Sequence, residues 1–325
     1  MTTSFPNGVA AGISVNGLPL TITNPGEVFW VNSSSVVGKG SAPGRTGTGA
    51  SGVITGKGTY QRPFATINQA IAKCVANRGD IILVQPGYTE TISAAAGGLT
   101  VDKAGIAIIG LGSGSLKPTI TLDTIISADI DVSADDCILY NLRFVAGFAS
   151  VTHCLDVTGA DAVIDSCEFV VTTATFGFDI SIKSSNTAWG LHVTNCMFQM
   201  ECTVALGTAV SDTPASGIQF DGDNTVIKNN VFHGEFSIAM IYNTTTAAEG
   251  ALITDNIGAN VSTAAAAGAV SLKAGCTGLI MRNNFGVLET SSIDGLFVNQ
   301  SCGLCENYAV NVEAEAGGIV GTAST

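Results

Sequence analysis

Apolar and polar positions alternate along this chain in short runs, as in the stretch from Leu191 to Asn195, where His192 and Thr194 separate the apolar residues. Period-two alternation over so few residues predicts half-buried strands rather than helices. A phrase recurs through the sequence: an apolar residue, any residue, Asn or a substitute, a small or polar residue, then an apolar residue. It occurs at Leu139–Phe144, Ile164–Phe169, Val193–Phe198, Ile227–Phe232, Ile253–Gly258, Met281–Gly286 and Leu304–Ala309. Taking the fourth position as marker gives Leu142, Cys167, Cys196, Asn230, Asn256, Asn284 and Asn307, spaced 25, 29, 34, 26, 28 and 23 residues apart. Weaker copies precede them at Ile108–Leu111 and Leu83–Pro86. Self-similarity at this period predicts a solenoid of about nine units.

Each unit is rich in Val, Ile, Phe and Thr without three- and four-residue apolar spacing, which predicts a β coil. Asn suits the turn because it tolerates the left-handed backbone, and stacked Asn side chains can hydrogen-bond from coil to coil. The expected turn ladder comprises Asn141, Asn195, Asn229, Asn230, Asn256, Asn283, Asn284 and Asn307. At a strand spacing of about 4.8 Å, nine coils span roughly 40–45 Å. Unequal spacing places insertions on the loops, the largest between Asn195 and Asn229 and including Val210–Ser216.

One segment has helical spacing. From Pro63 to Ala76, the residues Phe64, Ile67, Ala70, Ile71, Cys74 and Val75 share a face, Thr66 is placed to cap the start, and Asn77–Gly79 ends it. A solenoid end exposes both strand edges and core, so this helix is expected to plug the N-terminal end. The expected organisation is an arm over 1–60, the capping helix over 61–78, the β-helix over 79–313 and a tail over 314–325. Within the arm, Phe5, Pro6, Phe29 and Trp30 are the candidate attachment residues, ahead of a Gly-, Ser- and Thr-rich stretch from Gly38 to Gly58.

Composition narrows the partners. Thirteen basic residues against 26 acidic ones give a net charge of −13, which argues against a nucleic-acid partner and for a self-repelling soluble particle. Mean hydropathy is +0.40, yet no apolar run reaches the roughly 20 residues of a membrane span. The first eight residues lack the basic and apolar regions of a secretion signal. Nine cysteines scattered through apolar stretches are then expected to be buried thiols made in a cytosol.

The stretch from Tyr60 to Glu90, with the later Ile106–Gly112, resembles the start of the pectate-lyase-like right-handed parallel β-helix superfamily. Together with the Asn-bearing coils the resemblance covers about three quarters of the chain. It implies the fold and leaves activity open, since the fold hosts lyases, hydrolases, tailspikes and inert scaffolds. The opening Ser4–Val9, running into a Gly-rich segment and this β-helix, is similar to structural proteins of tailed bacteriophages. That similarity implies a virion protein, a homotrimeric capsid decoration or head-fibre component, made in the bacterial cytoplasm and held to other virion proteins by its arm.

Candidate chemistry is sparse. Asp221 and Asp223 are the best carboxylate pair, because residues two apart on a strand face the same way and could meet a sugar or cation; the competing reading is a polar turn. Asp129, Asp131, Asp135 and Asp136 form a second acidic group, with Arg143 the nearest base in sequence. His153, His192 and His233 lack metal-ligand spacing, and Cys302–Cys305 lacks the helix a redox motif requires. No cofactor is implied. The expectation is a non-enzymatic virion rod; the alternatives are a tailspike-like polysaccharide depolymerase and a passive module that binds host-surface glycan.

Overall fold

A computed structural model describes residues 13–15, 18–20, 26–32, 57–60, 62–93, 98–173, 175–200, 214–262, 268–287, 297–298, 301–311 and 316–320. It is an all-β parallel solenoid with little helix. Each turn lays one strand on each of three sheets, as with Ile138–Tyr140, Arg143–Ala146 and Leu155–Val157. About seven full turns run from Ile81 to Ser271, all with parallel pairing between successive turns. Among the described residues the first sheet has ten strands, from Val28–Val31 to Ser301–Cys305; the second has ten, from Thr89–Ile92 to Asn307–Asn311 and then Ala316–Val320, which pairs antiparallel. The third has eight, from Leu99–Val101 to Phe297–Val298. A separate antiparallel pair joins Ile13–Val15 to Leu18–Leu20.

The corners explain why the sequence coils. Between first-sheet and second-sheet strands the chain turns on one left-handed residue: Asn141, Ser166, Asn195, Asn229, Asp255, Arg282 or Glu306, with φ between 53° and 58°. The residue after it points inward, and in the last four of these turns that residue is a fully buried Asn. The expected marker at Asn284 is therefore one place late. Arg282 makes the turn, Asn283 is inside, and Asn284 opens an outward-facing strand position.

Inside, alternation packs one continuous apolar core from Phe29 to Ala309. Registered second-sheet positions stack Phe144 on Phe169, Phe169 on Phe198 and Phe198 on Phe232, with centroids 5.2, 4.9 and 4.6 Å apart. The next registered residue is Gly258, where a Cβ would sit 2.8 Å from Phe232. That gap lets Phe285, one turn further, meet Phe232 edge-on at 6.5 Å.

The helix is shorter than the periodicity suggests, Ile67–Ile71. Thr66 accepts a hydrogen bond from the Gln69 amide, as an N-cap should. Ile67, Ala70, Ile71 and Cys74 are buried, but Val75 lies beyond the helix and is exposed. Asp80 fastens this region: its carboxylate accepts from the Val75 and Glu27 amides and pairs with Arg78 at 2.7 Å.

Strand Val28–Val31, within the segment expected to be an arm, is the outermost strand of the first sheet, paired with Ile81–Val84. Phe29 belongs to the core beside Phe64, and Trp30 lies outward against Tyr60. Phe5, Pro6 and residues 201–213 of the largest insertion lie outside the described residues, as do most of the Gly-rich stretch and of the 314–325 tail.

Candidate functional site

The predicted Asn ladder resolves into two columns. Asn141, Asn195 and Asn229 are the left-handed turn residues themselves. Asn195 Nδ2 donates to Asp165 at 3.0 Å, and Asn141 Nδ2 donates to the Gly110 and Gly112 carbonyls of the preceding turn. The inner column is Asn230, Asn256, Asn283 and Asn307, each fully buried. Here Nδ2 of Asn230 donates to Asn256 Oδ1 at 3.0 Å, Asn256 to Asn283 at 2.9 Å, and Asn283 to Asn307 at 3.0 Å. The same amides donate to main-chain carbonyls of the preceding turn, Val193, Ile227, Ile253 and Ile280. Each carboxamide oxygen also accepts a backbone N–H, so the polar atoms of this buried column are matched.

Cysteines continue this column toward the N-terminus. Cys196 and Cys167 Sγ donate to the Ile164 and Leu139 carbonyls at 3.5 and 3.6 Å, replacing the carboxamide with a weaker donor. Burial pushes Cys196 well above the ordinary thiol range, Cys74 up to about 12, and Cys137 and Cys302 up to about 11. Such thiols are inert as nucleophiles. Cys302 and Cys305 share strand Ser301–Cys305 but are three residues apart, so one points inward and the other outward.

Asp221 and Asp223 do not share a strand face, because the strand ends at Gln219. Asp221 is buried, and its Oδ1 accepts from the Thr244, Thr245 and Thr246 amides at 3.3, 2.9 and 3.2 Å and from Asn243 Nδ2. Asp223 is exposed and accepts from the Glu249 amide at 2.8 Å. The two carboxylates thus hold two parts of one loop of the next turn, between Tyr242 and Ala251.

The second acidic group also divides. Asp135 Oδ1 accepts the Ala160 amide, and Asp136 is itself a left-handed turn residue. Asp129 and Asp131 instead join residues from later turns on the outer face of the third sheet. In register, Asp131 lies beside Asp156, and Asp156 beside Lys183. His153 Nε2 is 3.3 Å from Asp129 and 3.4 Å from Asp156, and Lys183 Nζ is 3.8 Å from Asp156. The His153 hydrogen bond holds Asp156 below the usual carboxylate range, whereas burial beside Asp129 and Asp156 raises Asp131. Five titratable groups thus meet along the third sheet, with the His153 and Asp129 side chains only 14% and 12% exposed. The cluster was not readable from the sequence, since 24 residues separate Asp129 from His153 and only coil length brings them together.

Arg143 is not part of that cluster. It sits on the second sheet, 2.8 Å from Glu168, which Lys117 also reaches at 2.9 Å. His192 and His233 are exposed on the first and second sheets. Among the described residues no group of three or more His, Cys, Asp or Glu is arranged to hold a metal ion, and no helix is long and apolar enough to cross a membrane.

No protein-family model and no curated protein matches the chain. Among solved structures, a rhamnogalacturonan lyase aligns over 87% of this chain and 87% of its own, at 11% identity and a TM-score of 0.35. The parallel solenoid rests on the strand pairing described above.

Proposed function

We propose that the chain is a non-enzymatic structural rod, a virion component of the tailed-bacteriophage kind. In this reading it is a homotrimeric capsid decoration or head-fibre protein, made in the bacterial cytoplasm and mounted through its N-terminal residues. The rod is a right-handed β-helix of nine coils, with the Ile67–Ile71 helix covering its N-terminal end. One observation carries the proposal: the carboxylate candidate Asp221 and the inner Asn column are committed to holding the solenoid itself together. Asp221 binds three consecutive amides, and four buried carboxamides are used up in one ladder.

The test is association with particles. Removing residues 1–25 leaves strand Val28–Val31 in place, and the truncated protein should fold but no longer join virions. Undiminished incorporation would overturn mounting through the N-terminus, and absence of the intact protein from purified particles would overturn the virion reading.

A second reading, a polysaccharide depolymerase, is favoured by the Asp129–His153–Asp156–Lys183 cluster, which offers a base beside carboxylates on an exposed sheet. Purified protein should then clear host polysaccharide, and Asp156→Asn should abolish the clearing. No activity from the folded wild type would exclude this reading.

A further inference from the structure

Parallel sheets are normally covered on both faces. The inner face of the first sheet lies on the core, but its outer face carries a line of apolar side chains in strict register. Ile138 pairs with Val163, Val163 with His192, His192 with Val226, Val226 with Leu252 and Leu252 with Leu279. Five of the six are aliphatic, none is an acid or a lysine, and Ile138 is 38% exposed. At about 4.8 Å per turn the line is roughly 24 Å long.

We infer that this stripe is the surface through which copies of the chain associate, the occupant being a second copy laid alongside with its axis parallel. The inference rests on the homotrimer reading above and names its contact face. Two observations select a second copy. First, ridges repeating once per strand are matched along their full length only by a partner with the same repeat, and the other sheet faces of this chain have it. Second, the chain carries a net charge of −13, so two copies repel wherever acidic groups face each other. Asp129, Asp131 and Asp156 are on the third sheet, and the stripe is free of carboxylates. An uncharged apolar centre is the composition that interface cores have.

The experiment measures the mass of the full-length protein in solution over a range of concentrations, for wild type, Leu252→Lys and the control Lys73→Glu. Lys73 is exposed just after the Ile67–Ile71 helix and belongs to none of the three sheets. Wild type and Lys73→Glu should be oligomers, and Leu252→Lys should need at least a tenfold higher concentration to assemble. Leu252→Thr places a β-branched, strand-favouring residue at the site and should show a smaller shift in the same direction should lysine disturb the fold. An oligomeric wild type unaffected by either Leu252 substitution would overturn the stripe while leaving the homotrimer reading intact. A monomeric wild type would overturn both, and a dimer would overturn the trimer but keep the stripe if Leu252→Lys dissociates it.

Discussion

Replacing Asn256 tests the inner ladder most directly. Its Oδ1 accepts from the Asn230 backbone at 2.9 Å and from Asn230 Nδ2 at 3.0 Å, while its Nδ2 donates to Ile227 O and Asn283 Oδ1. Asn256→Ala removes all four bonds inside a fully buried column. An orphaned buried donor costs about 1–3 kcal/mol, and each further hydrogen bond contributes about 1 kcal/mol net. The expected loss is therefore about 3–5 kcal/mol, at the low end should a water fill the space. Asn256→Cys should cost roughly half as much, because Cys167 and Cys196 already occupy this column and donate to the equivalent carbonyls. Urea unfolding gives the stabilities, and hydrogen exchange over residues 226–234 gives the local effect, since the Asn230 amide loses its acceptor. A loss below about 1 kcal/mol for Ala, or Cys no better than Ala, would refute the ladder as a source of stability.

Two further outcomes follow from charge. Glu90 is mostly buried, and burial raises its carboxyl pKa despite hydrogen bonds from Tyr88 Oη at 2.6 Å and the Ile67 amide. A raised carboxyl pKa means the native state holds a proton more tightly than the unfolded one, so stability falls as pH rises from about 4.3 through the folded value. Glu90→Gln should then be at least as stable as wild type at pH 7, with the advantage vanishing in acid; a less stable Gln variant at pH 7 would contradict this. Asp255 is held at about 2, against an ordinary 3.8, chiefly by its hydrogen bond with Arg282. Arg282→Gln should return the Asp255 titration, followed by carboxyl NMR, toward the ordinary value, and an unmoved midpoint would show that other groups hold it.

The solenoid was legible because its repeat leaves a trace at every turn: an apolar residue three places before a buried position. The exact corner was less so. At Asn229–Asn230 and Asn283–Asn284 two asparagines adjoin, and residue type alone cannot say which takes positive φ and which faces inward. The structure settles it differently in the two places, with Asn229 at one corner and Arg282 at the other. Asp221 and Asp223 misled for a related reason: the same-face rule holds only inside a strand, and this one had ended at Gln219. The His153 cluster lay beyond reading because loop length, not local pattern, decides which residues of successive turns become neighbours.

The inner ladder also gives the rod a direction in time. Asn230 donates to an acceptor 26 residues later, Asn256 to one 27 later and Asn283 to one 24 later. A turn emerging during synthesis therefore carries amides whose acceptors have not yet been made, and each new turn completes the one before it. Growth of this kind needs only the next two dozen residues at any moment, so a long rod can form without distant parts of the chain having to find each other.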